Sequence, residues 1–159
     1  MIILIMGVEG AGKTTIGSLL ADDLKFEFQD ADSFHSPANI DKMRHGIPLT
    51  DADREPWLAA LHSAVVQWLT ARRNVVLACS ALKNRYRDRL LVSPEVKLVY
   101  LEAPYDVILN RLELRQGHYA SESLLQSQFA DLEEPDSALI VDASLAPGEI
   151  VREIRAQLA

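Results

Sequence analysis

Residues 2–6 form an unbroken apolar run, Ile-Ile-Leu-Ile-Met, too short for a stable helix and rich in β-branched side chains. Such a run reads as a strand buried on both faces. Gly7-Val-Glu-Gly-Ala-Gly-Lys-Thr14 follows at once, and it fits the phosphate-binding pattern of two glycines five apart with a Lys-Thr ending. The pattern stands where its chemistry needs it, after a strand and before a helical stretch. Gly7, Gly10 and Gly12 let successive N–H groups converge on phosphate oxygens, with Val8, Glu9 and Ala11 completing the loop. Lys13 is placed to reach the β- and γ-phosphates, the Thr14 hydroxyl to ligate Mg²⁺, and Thr15 to continue the nest into the helix. The helix opening near Thr14 adds its positive end to the same anion site. A chain with this start is expected to bind ATP or another nucleoside triphosphate.

The rest of the chain repeats the alternation. Ile16, Leu19, Leu20 and Leu24 recur at helical spacing. A short strand is expected over 26–29, ending at Asp30-Ala31-Asp32, and a short helix over 38–45. Asp53 is read as the cap of a long helix with Pro56 in its first turn and Trp57, Leu58, Leu61, Val65 and Trp68 on its inner face. Strands follow over 75–79, 96–101 and 138–141. Helices are expected from about 84, over 104–115 with Leu112 and Leu114 facing inward, from a capping box at Ser123, and from 147 onward. This order implies an α/β fold: a parallel five-stranded sheet in three layers, forming a single domain over 1–159. Ligands in such sheets sit beyond the carboxyl ends of the strands. That rule selects 7–14, 30–35, 79–83 and 142–144.

Composition narrows the function classes. A net charge of −7 disfavours a nucleic-acid partner, and no apolar stretch is long enough to cross a bilayer. The start of the chain reads directly as a strand and not as a secretory signal, and Cys79 is the only cysteine. A reducing, cytoplasmic setting is therefore expected.

A phosphate loop does not by itself distinguish a kinase from a switch or a motor. The guanine-reading Asn-Lys-x-Asp motif is absent, and the strand ending at Cys79 carries no acidic residue for the metal. Asp30 and Asp32 are the natural substitutes. We assign Asp30, with Thr14, to the metal side and Asp32 to accepting the proton of an attacking hydroxyl, the reverse remaining open. Lys83, Arg85, Arg87 and Arg89 cluster in an otherwise acidic chain, and on a helix 83 shares a face with 87, and 85 with 89. One of these pairs is expected to line the pocket. Arg111 and Arg115 run into a break at Gly117-His118. Residues 115–123 are read as a lid that would carry Arg115 over the transferring phosphoryl group.

Beyond the loop, Asp30-Ala-Asp32-x-x-His35, Asn39-Ile-Asp-Lys-Met43, Gly46-Ile-Pro-Leu49 and Asp51-x-Asp-Arg-x-Pro-Trp-Leu58 form an ordered series. It continues with Cys79-Ser-Ala-Leu-Lys83, Tyr86-Arg-Asp88, Arg111-x-x-x-Arg115-x-Gly-His118 and Leu124-Leu-x-Ser-Gln-Phe129. In order and spacing, the series resembles the gluconokinase family over nearly the whole chain. The resemblance implies transfer of the ATP γ-phosphate to the 6-hydroxyl of D-gluconate, on a nucleoside-monophosphate-kinase-like fold, as a homodimer. It departs at Ser36, where proline is usual, at Leu91, and in a short stretch over 136–146. A sugar acid needs a cation for its carboxylate and several groups for its hydroxyls. Lys83, Arg87 and Arg54 are the candidates for the first task, and Asp32, His35 and His118 for the second, with residues of about 33–70 forming the substrate-binding segment. Trp57 is expected to be core and to floor the pocket. Two alternatives are a kinase of the shikimate kinase type, expected to carry a glycine run in place of residues 80–83, and an ATP-binding regulatory module that transfers nothing.

Overall fold

A computed structural model describes the backbone of residues 1–114 and 118–158, and the side chains of all of these except 118–121. Five parallel strands form one sheet in the order β2-β3-β1-β4-β5: β1 (Ile2–Met6), β2 (Glu27–Asp30), β3 (Val75–Ala78), β4 (Val96–Glu102) and β5 (Leu139–Asp142). β1 is central, pairing Ile2 with Val75 on one side and with Val96 on the other. Its side chains alternate between two cores. Ile3 and Ile5 pack beneath α1 (Lys13–Leu24), α5 (Tyr105–Leu114), α6 (His118–Asp131) and α7 (Pro147–Leu158). Ile2, Leu4 and Met6 pack beneath α3 (Asp51–Thr70) and α4 (Asn84–Leu90). Burial on both faces is why β1 is uniformly apolar, and why the fold has three layers.

The chain leaves β1 toward β2, returns to β3 beside β1, and then crosses to β4 on the far side. That reversal opens a crevice above the carboxyl end of β1, where the phosphate loop lies. The glycine in α1 serves packing: a Cβ at Gly17 would stand 2.6 Å from Phe28 Cε1, so helix and edge strand approach only because it is absent.

Several local expectations change. α3 begins at Asp51, and its cap is Thr50 in place of Asp53. The Thr50 hydroxyl accepts from the Asp53 N–H (3.1 Å) while Asp53 Oδ2 accepts from the Thr50 N–H (2.9 Å), so two unpaired donors are satisfied reciprocally. Pro56 therefore lies inside the helix, past its first turn. α6 is already helical at His118, so Ser123 sits within it and starts nothing. Leu19 belongs to the helical-spacing set of α1 and Leu114 was expected to face inward, yet they are 43% and 81% exposed. Ser36 caps α2 (Pro37–Arg44), its Oγ accepting from the Asn39 N–H at 3.2 Å with Pro37 at the first helical position. That is the physical content of Ser36-Pro37, where the family pattern has proline one place earlier. No described helix is long and apolar enough to cross a membrane.

Candidate active site

A cavity of about 830 Å³ opens above the carboxyl ends of β1 and β2. One wall is the phosphate loop, the other is built from the segment after β2, from α2 and from the first turns of α3.

The loop is bent by glycine. Gly12 precedes α1 at φ 98° and Gly10 holds φ 83°, where a side chain is strained. A Cβ on Gly10 would also press on Ile108 Cγ2 and Leu112 Cδ2, each 3.1 Å away. The loop is braced from outside: Arg111 donates to the Gly10 carbonyl (3.4 Å) and to that of Ala143. The Glu9 N–H donates to Gln128 Oε1 of α6 at 2.5 Å. Lys13 Nζ donates to the Val8 carbonyl at 3.0 Å. Burial lowers the Lys13 pKa, and the carboxylates of Asp32, Glu9 and Asp30 oppose that shift. These carboxylates favour the charged ammonium against the effect of burial.

The two aspartates differ in their surroundings. Asp30 Oδ2 accepts from the Thr14 hydroxyl (3.0 Å), and Oδ1 accepts from the Asp32 N–H (2.9 Å), capping the 3₁₀ turn Ala31–Phe34. Among the described residues, no donor is bonded to the Asp32 carboxylate, which lines the cavity. Partial enclosure by protein raises its pKa, the Asp30 charge adds to this, and Lys13 counters it. A carboxylate that is unbonded and made more basic suits a proton acceptor. The Thr14–Asp30 pair is a hard oxygen donor set suited to Mg²⁺. No cluster of three or more His, Cys, Asp or Glu suited to a metal occurs among the described residues.

On the acceptor side, the His35 ring stacks on Trp57, with centroids 4.3 Å apart and planes 9° from parallel. Trp57 is core and pocket floor at once, its Nε1 donating to the Ala31 carbonyl at 2.7 Å. Burial, reinforced by the Arg54 charge, lowers the His35 pKa to about 4, so the ring is neutral at pH 7. Arg54 enters from the first turns of α3 and bonds the Tyr86 hydroxyl (3.0 Å) and Asp131 (3.5 Å). It remains a cation at the pocket wall.

Two expected cations are elsewhere. Lys83 precedes α4 instead of lying on its face, and its ammonium is 3.4 Å from Asp51 and 3.9 Å from Asp131. It is not among the cavity-lining residues. Asp51 also bonds the Tyr86 hydroxyl and Arg85, which hold its carboxyl well below the usual range. Arg87 is buried, at 3% exposure. Its guanidinium donates to the carbonyls of Ala81 (2.7 Å), Leu82 (3.1 Å) and Glu133 (2.7 Å) and to Asn84 Oδ1. It fastens the loop after β3 to the chain beyond α6, with both terminal nitrogens engaged by the protein. The expectation that the 83/87 pair lines the pocket is thereby corrected, and the 85/89 pair does not line it either, Arg89 pairing with Glu55. Residues 142–144 do not reach the cavity. Arg115, with the start of the lid, and the His118 side chain lie outside the described residues.

The cavity also includes residues that sequence reasoning left out of the site: Arg44 of α2, and Leu124 and Gln128 of α6. Their signal was faint. Leu124 and Gln128 are four apart on a helix, within the Leu124-Leu-x-Ser-Gln-Phe129 stretch, and Arg44 adjoins Asn39-Ile-Asp-Lys-Met43.

The architecture has known counterparts. The family model described as shikimate kinase matches residues 9–159. The gluconokinase of Gluconobacter oxydans (strain 621H) is 40% identical over 156 residues, covering 96% of this chain and 88% of that protein. A probable gluconokinase of Mus musculus is 43% identical over 154 residues, covering 86% and 84%. The chain belongs to the gluconokinase family. Among solved structures, a gluconokinase from Sinorhizobium meliloti 1021 superposes with a TM-score of 0.87 at 42% identity, covering 98% of this chain and 90% of that one. Shikimate kinase from Aquifex aeolicus vf5 shares the fold with a TM-score of 0.63 at 21% identity. Gluconokinase-family membership also fits the turn after β3. Where a shikimate kinase is expected to carry glycines, this chain has Ser80-Ala81-Leu82, and Ala81 takes φ 45°, buried and with its carbonyl held by Arg87.

Proposed function

We propose that this chain is a gluconokinase, transferring the γ-phosphoryl group of ATP to the 6-hydroxyl of D-gluconate to give 6-phospho-D-gluconate. The observation that carries the reading is one cavity joining Lys13 and the phosphate loop to Asp32, His35, Trp57 and Arg54. The relatives named gluconokinase support the same acceptor, and nothing favours the shikimate or regulatory alternatives over it.

In this reading the loop N–H groups and the start of α1 hold the phosphates, and Lys13 follows the negative charge as it moves from γ- to β-oxygens. Asp32 takes the proton of the 6-hydroxyl as its oxygen attacks. Arg54 faces the carboxylate of gluconate, His35 a hydroxyl, and Trp57 the apolar edge of the carbon chain. Thr14 and Asp30 would hold Mg²⁺, which when bound neutralises phosphate charge. From sequence, Arg115 is assigned to the charge on the transferring phosphoryl group, His118 to a hydroxyl, residues 115–123 to a cover that excludes water, and 33–70 to the substrate side. The family resemblance supports a homodimer. Cys79, buried and with its thiol pushed up to about 12 by that burial, suits a cytoplasmic, reducing setting.

The test is ADP formation on a panel of sugar acids and shikimate, with gluconate expected to turn over and shikimate to be inert. Arg54→Ala should raise the KM for gluconate by about 10- to 100-fold, the worth of a charged hydrogen bond, with the KM for ATP within about twofold of wild type. Equal loss for both substrates would remove Arg54 from the carboxylate.

A further inference from the structure

Asn39 lies on α2, is buried at 7% exposure, and has no part in the phosphate chemistry. Its side-chain Nδ2 stands 2.8 Å from the Asp53 carbonyl and 3.3 Å from His35 Nδ1. A main-chain carbonyl only accepts, so the amide nitrogen, not the amide oxygen, must face Asp53. That nitrogen carries two hydrogens. The second is directed to His35 Nδ1, which then accepts through its ring lone pair. A neutral imidazole whose Nδ1 accepts holds its proton on Nε2.

The surroundings fix the arrangement. Asp53, the anchor for Asn39, closes the capping box of α3 and pairs with Lys42 at 3.0 Å. Stacking on Trp57 sets the plane of the His35 ring. Among the described residues, His35 Nε2 makes no hydrogen bond and is not a buried atom lacking a partner, so it opens on the cavity that His35 lines.

We infer that Asn39 is a positioning residue: it holds His35 in the Nε2–H tautomer, so that the ring presents a fixed, neutral N–H donor to a hydroxyl oxygen of the bound sugar acid. The identity of that ligand rests on the gluconokinase reading, but the tautomer does not. A neutral donor suits a hydroxyl and leaves the carboxylate to Arg54. The low basicity of His35 accords with this, since a protonated Nδ1 would point a hydrogen at the amide hydrogens of Asn39.

The chain has four histidines, so ¹⁵N-histidine spectra of the whole protein can be assigned by the signal lost in His35→Gln. At pH 7 the wild type should show His35 Nδ1 unprotonated and Nε2 protonated, with the Nε2 signal moving on addition of gluconate. Asn39→Leu should lose that single tautomer and raise the KM for gluconate about tenfold, the worth of one neutral hydrogen bond, while the KM for ATP stays within about twofold. A wild-type spectrum with Nδ1 protonated overturns the inference, and needs no variant to fold. So does a folded Asn39→Leu with the wild-type tautomer and gluconate KM. The Nε2–H form in a wild type that does not turn over gluconate would overturn the substrate reading and leave the positioning by Asn39 standing.

Discussion

Lys13→Ala is expected to lower turnover by about 10³-fold or more, the scale of removing a preorganised charge from a phosphoryl-transfer site. Lys13 is enclosed at the head of α1, with Asp32, Glu9 and Asp30 near enough to influence its ionisation. Its one hydrogen bond among the described residues is to the Val8 carbonyl, so the ammonium has donors left for phosphate oxygens. Removing it costs the fold little by comparison, because Gly10, Gly12 and the Arg111 brace hold the loop independently. The variant should therefore be folded and nearly inactive. Near wild-type turnover in a folded Lys13→Ala protein would show that chemistry occurs elsewhere.

Asp32→Asn should lower kcat by about 10²-fold or more with little change in the KM for ATP, since the amide keeps the shape of the carboxylate but accepts no proton. The pH profile carries a sharper signature. Partial enclosure and the Asp30 charge raise the Asp32 pKa, so its active, deprotonated form is lost at a higher pH than that of an ordinary aspartate. The wild type should thus show an acid limb displaced upward, and Asp32→Asn should lack it. If the variant instead lost ATP affinity and kept the limb, the roles of Asp30 and Asp32 would be exchanged. The bond from Thr14 to Asp30 favours the assignment made here.

What the sequence disclosed and what it concealed follow a physical division. β1, β3 and β4 were legible because strands buried on both faces read as continuous apolar runs, and the phosphate loop because its spacing is dictated by backbone geometry. That Asp30, Asp32 and His35 line the cavity was legible through the rule that ligands gather at the carboxyl ends of strands. Helix faces were less reliable. Leu19 and Leu114 repeat at helical spacing but project past the core they were assigned to. Arg87 was misread because its destination is set by carbonyls, one of them at Glu133, and no local pattern records that a basic side chain ends among carbonyl groups. Lys83 was misread because it lies one residue before α4, where helical face-sharing does not apply. Gln128 reaches the loop from the far end of the sequence, a contact that only the folded chain brings about.

Phosphoryl transfer to one hydroxyl of a sugar acid is tested by ³¹P and ¹³C NMR of the products formed from ATP, Mg²⁺ and D-gluconate by the wild-type chain. ADP and a phosphomonoester coupled to the terminal methylene carbon of gluconate are expected in equal amounts. Inorganic phosphate as the sole phosphorus product beside ADP, or an ester formed with shikimate while gluconate is untouched, would contradict it.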